Sequence, residues 1–223
     1  MNDSDSNLLT HTANQICTLT INRPIQKNSL TTALLEKILV DLEAASQDKY
    51  ISVLVLVGSG DVFSSGVDLK EFINAGTQAD ELRCYRTELL FRVMGKIRQF
   101  PVPTVALING HAVGAGAAMA LSTDLALMSE EATIRFPEIS LGIVPKLMPP
   151  ILVDKVGARL AFELLLTGRK IPASEAQSLG LINKVCPSLT LRSDAQDLIH
   201  HLSTLDRKIA VETKLAIRAA YSL

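Results

Sequence analysis

The run ISVLVLVG at residues 51–58 constrains the fold more than any other stretch, because apart from Ser52 and the closing glycine every side chain is apolar. Alternation would mark a strand with one wet face. A continuous apolar run instead marks a strand buried on both faces, the place of a central strand in a parallel sheet covered by helices. A second run, VPTVALI (102–108), repeats the pattern. Before them, ICTLTI (16–21) alternates and is β-rich, and TTALLEKILVDLEAAS (31–46) sets Leu34, Leu35, Ile38, Leu42 and Ala45 on one helical face. Thr31 or Thr32 would cap that helix. The spacing predicts another helix over 78–99 and short strands in LALMSE and ATIRF; beyond Val156 the chain is mostly helical, with one strand in LINKVC. The expectation is an α/β fold with right-handed crossovers and a weak strand-strand-helix recurrence. In 223 residues there is no linker and no low-complexity segment, so one core is expected.

Several functional classes fall away on composition. The net charge of -1, without a long Lys or Arg run, gives no electrostatic footprint for nucleic acid or an anionic membrane. Cys17, Cys84 and Cys186 are odd in number and far apart. They make neither a disulfide framework nor a zinc quartet, so no metal site is expected and a reduced compartment is. The start, MNDSDSNLLT, lacks the basic and apolar segments of a secretory signal, and a cytoplasmic location is expected. Gln99 to Thr123 carries no charge and is long enough to raise the question of a membrane span. Pro101, Pro103, Asn109, His111 and the glycines at 110, 114 and 116 break it into a strand, a turn and a second element.

Two loops offer main chain. FSSGVDL (63–69) follows the first buried run, with Gly66 permitting a tight path and Asp68 able to cap the next helix; NGHAVGAG follows the second and leads into AGAAMAL. Two such strand ends could bring two backbone N–H groups to one point, which is oxyanion-hole chemistry. Small residues that only let a helix approach a sheet would read the same way.

Taken together, INRPIQKNSL, FSSGVDLKEF, PVPTVALINGHAVGAGAAMALSTDLALMSEEATIRFPEISLGIVP and LTGRKIPASEAQSLGLINKV, in that order over nearly the whole chain, resemble the crotonase, or enoyl-CoA hydratase/isomerase, superfamily. The resemblance implies a crotonase-like α/β fold of repeated strand-strand-helix turns, with a core over 1–190 and a helical segment over 191–223 that is short for the family. It also implies a homotrimer or dimer of trimers, an acyl-CoA thioester as substrate, and no cofactor beyond the coenzyme A that the substrate carries. By motif position, the amides of Ser65 and Ala115 would hold the thioester oxygen. Lys27, main-chain groups around Ser29 and Ser64, and Gly66, Asp68 and Gly114 would bind substrate or coenzyme A, and Glu138 would be the catalytic residue. A short C-terminal segment would leave the acyl pocket open or closed by a neighbouring subunit.

Hydratases of that family activate water with two glutamates. At the first of these positions the present chain has Ala118, and at the second Glu138; the spacing through Asp124 to Pro137 fits without a gap. Alanine moves no proton, and one positioned acid–base group is worth about 10²–10⁴ in rate. The resemblance therefore points to a single-glutamate reaction, Δ3,Δ2-enoyl-CoA isomerisation. The alternatives are hydration or another family reaction on a CoA-bound or carrier-bound thioester, and a non-catalytic acyl-CoA-binding or assembly subunit. Leu147, Met148, Pro149 and Pro150 replace the glycine-rich turn usual in hydratases and are expected to reshape one wall. Phe136, Ile139 and Met119 are expected to raise the proton affinity of Glu138. His111 reads as a loop anchor, His200 and His201 as a helix face.

Overall fold

The two apolar runs become neighbouring parallel strands at the centre of the molecule. In the computed structural model, which describes residues 6–75 and 79–220, they are β3 (Val53–Gly58) and β5 (Thr104–Ile108), every residue of both buried. They lie in a six-stranded sheet with β1 (Leu8–Ala13), β2 (Ile16–Ile21), β7 (Leu125–Ser129) and β10 (Lys184–Cys186), in the order β1-β2-β3-β5-β7-β10. Val53, Val55, Val57, Val105, Leu107 and Leu127 face one side, where Leu191, Ala195 and Ile199 of helix α7 (Leu191–Thr204) cover them. Leu54, Leu56, Ala106 and Ile108 face the main core with helices α1 (Thr32–Gln47) and α3 (Ala79–Arg98). Alternating side chains thus enter two separate apolar clusters, which is why these strands show no polar face. The first helix of the 191–223 segment therefore packs on the central sheet.

The recurrence resolves into a superhelix of strand pairs. After β3, β5 and β7 in the large sheet, the chain passes each time to β4 (Val62–Ser64), β6 (His111–Val113) and β8 (Thr133–Arg135) of a second sheet, ordered β4-β6-β8-β9 with β9 at Lys170–Pro172. β4, β6 and β8 pair in parallel. Their C-terminal ends consequently face the same way, leading into α2 (Lys70–Ala75), α4 (Ala115–Leu121) and the loop before α5 (Pro149–Thr167).

Helix α1 buries the five residues its periodicity selects, and Thr31 caps it by accepting the Leu34 amide at 3.2 Å. The helix expected at 78–99 is α3; its first predicted residue, 78, lies outside the described residues. Two differences have local causes. β1 escapes the sequence reading because its outer residues are polar or small and exposed, as an edge strand tolerates, and its hairpin turns at Asn14 and Gln15 without a glycine (φ 50° and 65°). Helix α5 starts at Pro149, before Val156, and breaks at Gly157 (φ 75°). α6 (Ala173–Ser178) and α8 (Arg207–Ala220) complete the chain. Among the described residues no helix is long and apolar enough to cross a membrane.

Candidate active site

Three loops meet where β4, β6 and β8 end. The first, Ser65–Asp68, is held against the preceding loop by a parallel bridge between Leu30 and Val67. The Leu30 N–H donates to the Gly66 carbonyl at 2.8 Å, and the Asp68 N–H donates to the Leu30 carbonyl at 2.9 Å. The second loop turns at Gly114, whose φ of 52° and ψ of -121° lie where a side chain is strained. The third carries Phe136, Pro137 and Glu138.

The closeness of these loops appears in what a methyl group would meet. On Gly66 (φ 86°) it would lie 2.8 Å from the Val113 carbonyl oxygen and 3.5 Å from the Ala115 nitrogen; on Gly114 it would lie 2.9 Å from Glu138 Oε1. Backbone of the first loop, the Ala115 amide and the Glu138 carboxylate therefore border one small space that only glycines leave open. At Gly116 the same methyl would fall 2.6 Å from Ser64 Cβ, so this glycine serves the packing of α4 on β4. At Gly116 the packing reading of the small-residue run therefore holds.

Glu138 is partly buried, with Oε2 enclosed and without a hydrogen-bond partner among the described residues. Burial raises its carboxyl above the usual glutamate range, against a smaller lowering by its own backbone amide. Phe136 and Met119 are buried as expected, whereas Ile139 is 42 % exposed and belongs with exposed Leu141, Ile143 and Val144 to an apolar stretch beside the site. Met148 lies in the core at 1 % exposure and Pro149 opens α5. Ala118, four residues after Gly114, is fully buried in α4.

The expected oxyanion donor Ser65 requires a correction. Its N–H is already given to the Lys27 carbonyl at 2.9 Å. The available amide is two residues on: Val67 N–H donates to nothing among the described residues. In a trans peptide the C=O and N–H point in opposite directions, so fixing the Gly66 carbonyl on Leu30 sends the Val67 N–H away from that bridge. Sequence spacing had no means of showing this alternation. Ala115, by contrast, keeps at the first position of its helix an N–H that donates to nothing among the described residues.

The other expected binding residues form a frame. Ser64 is fully buried, its hydroxyl donating to the Asn28 carbonyl at 2.8 Å and accepting the Gly66 amide at 3.2 Å. Ser29 donates to Asp68 Oδ2 at 2.9 Å, and Arg23 reaches the same oxygen at 3.2 Å. Burial pushes the Asp68 carboxyl up, but Ser29, the Lys70 amide and Arg23 outweigh it and hold it below its usual value. The side chains of Ser29, Ser64 and Asp68 are thus committed inside the protein, which leaves the main chain around Ser29 and Ser64 as the part expected to meet a ligand and corrects the expectation of ligand contact only for the Asp68 carboxylate. Lys27 is exposed, in a left-handed conformation (φ 52°), with its side chain open to a ligand. His111 anchors a loop as expected, its Nδ1 accepting the Thr133 amide at 3.1 Å, and His200 and His201 are exposed on α7. No group of three or more His, Cys, Asp or Glu able to hold a metal occurs among the described residues.

Comparison with known proteins agrees with this geometry. Residues 11–223 match the enoyl-CoA hydratase/isomerase family. The 2,3-dehydroadipyl-CoA hydratase of Escherichia coli is 37% identical over 217 residues, covering 96% of this chain and 80% of that protein. The mitochondrial enoyl-CoA hydratase of Pongo abelii is 30% identical over 211 residues, covering 94% and 71%. The solved structure of an enoyl-CoA hydratase from Bacillus anthracis superposes with a TM-score of 0.92 at 30% identity, covering 98% of this chain and 84% of that one. The fold is that of a known enzyme family: this chain belongs to the enoyl-CoA hydratase/isomerase family.

Proposed function

We propose that the protein moves a double bond in an acyl-CoA thioester, converting a 3-enoyl to a 2-enoyl thioester with Glu138 as its one proton carrier. The observation that carries this reading is the Glu138 carboxylate: its Oε2 is enclosed without a partner among the described residues, while fully buried Ala118 stands one helical turn from Gly114, on the same side of α4. Helix α4, AGAAMAL, carries no acid that could hold a water molecule there.

The steps follow from the groups present. Glu138 takes a proton from C2 of the 3-enoyl thioester, and the electron pair passes to the thioester oxygen as a dienolate. The amides of Val67 and Ala115 meet the developing charge, each such donor being worth about 2.7–4 kcal/mol. The protonated Glu138 then returns its proton to C4, leaving the double bond between C2 and C3. A carboxyl whose proton affinity is raised by burial suits both halves of that shuttle. The exposed apolar residues Ile139, Leu141, Ile143 and Val144 would lie along the acyl chain, and Lys27 would meet coenzyme A. The reaction uses no cofactor beyond that coenzyme A.

Hydration is the competing reading, favoured by the names of the relatives. Incubation with 3-enoyl-CoA, 2-enoyl-CoA and a saturated acyl-CoA separates the two. Conversion of the first to its 2-enoyl isomer is expected. Rapid hydration of the second would overturn the isomerase reading, and binding of all three without turnover would indicate an acyl-CoA-binding subunit.

A further inference from the structure

Arg86 of α3 is the largest fully buried side chain, 1 % exposed, and it lies outside the three loops that form the site. Its guanidinium donates from Nη2 to the Leu30 carbonyl and from Nη1 to the Asp68 carbonyl at 3.0 Å, with Nη1 also 2.9 Å from Glu71 Oε2. Glu71 in turn accepts the amide and hydroxyl of Thr32, both at 3.0 Å. Leu30 is the residue whose bonds to Gly66 and Asp68 flank Val67, its N–H donating to the Gly66 carbonyl and its carbonyl accepting the Asp68 N–H. The Leu30 carbonyl thus receives both the Asp68 N–H and the arginine, and Leu30 also fixes the Gly66–Val67 peptide through its own N–H.

We infer that Arg86 is a positioning residue that sets the direction of the Val67 amide, a role resting on the reading of that amide as a holder of the thioester oxygen. A buried guanidinium paired with a carboxylate does little for stability, since apolar residues of similar volume often serve as well or better. What arginine adds is a rigid planar fork that holds two carbonyls at set directions, which neither a hydrophobe nor the single ammonium of lysine reproduces. An oxyanion donor works only if its direction is fixed before the charge appears, and a displacement of about 1 Å can cost 10²-fold in rate.

The test compares Arg86→Met and Arg86→Lys with the wild type. The expected result is a kcat lowered about 10- to 100-fold in Arg86→Met, a smaller loss in Arg86→Lys, and a KM within about twofold in both. Amide hydrogen exchange at Leu30 and Asp68 should accelerate beyond any change in the central strands β3 and β5. Wild-type kcat in a folded Arg86→Met protein would overturn the proposal, as would exchange that accelerates uniformly across the chain. If Arg86→Met does not fold, Arg86→Lys carries both measurements. A wild type that turns over no thioester would refute the functional reading, while unchanged exchange at Leu30 and Asp68 refutes the positioning of the loop whatever the activity.

Discussion

The two ends of helix α4 each hold a carboxylate, and they are built in opposite ways. Beyond its C-terminal end, Asp124 Oδ2 accepts the Thr104 amide at 2.8 Å, the Thr104 hydroxyl at 2.9 Å and the Lys214 ammonium at 2.5 Å. Lys214 also donates to the Val102 carbonyl at 2.8 Å, and burial lowers its ammonium to about 8 against the pull of Asp124. At the N-terminal end, Glu138 Oε1 lies close to the backbone of Gly114, and Oε2 is enclosed without a partner among the described residues. A charge saturated with donors ties β5, α4 and α8 together. An enclosed carboxylate that is not saturated costs stability and gains nothing structurally, which is the condition in which a carboxyl is free to exchange a proton.

The contrast is sharpest when each carboxylate is removed. Glu138→Gln should lower turnover by about 10²–10⁴-fold without lowering the melting temperature, checked by steady-state assay beside thermal denaturation. Retained activity would remove Glu138 from the mechanism. Asp124→Ala should do the reverse, costing about 3 kcal/mol in urea unfolding because Lys214 is left buried without its counter-charge. Its folded fraction should keep its kcat.

Gly114→Ala should cost about 1–3 kcal/mol from its left-handed backbone alone. Because the new methyl would also meet the Glu138 carboxylate at 2.9 Å, activity should fall further than stability, and equal losses would place Gly114 in the framework only. Ala118→Glu tests the missing second acid. Hydration of 2-enoyl-CoA should rise about tenfold over the wild type while isomerisation falls, measured by product analysis.

The smallest effect is in the pH dependence. Since burial raises the Glu138 carboxyl, the acid limb of kcat/KM should lie above the usual glutamate value of about 4.3. Between that value and the raised one the native carboxyl binds more protons than the unfolded one does. Stability therefore falls as pH rises through this window, and Glu138→Gln should flatten that slope in urea titrations at successive pH values.

Much of this site was legible in the sequence. Glu138, Ala115 and Gly114 were identifiable from motif position, and the substitution of Ala118 for an acid was visible without coordinates. Ser65 was not correctable that way, because which amide of a short loop faces the substrate depends on how its neighbouring carbonyls are pinned. Ser29 and Ser64 were expected to act through main chain, and only the structure shows that their hydroxyls, with the Asp68 carboxylate, are spent on Asn28, Arg23 and each other. Arg86 gave no signal, since an arginine in a polar-looking helix reads as a surface residue.

By itself the sequence determined the two-sided burial of β3 and β5, the face of α1 and the α/β class, because the period and continuity of apolar residues follow directly from the geometry of strands and helices. The tertiary structure alone decided that successive strand pairs stack in parallel, so that loops separated by about fifty and then twenty-five residues close on one space. It also decided which carboxylate is satisfied and which is left poised. Hydrogen bonds and desolvation depend on partners from distant segments, and the order of residues does not record them.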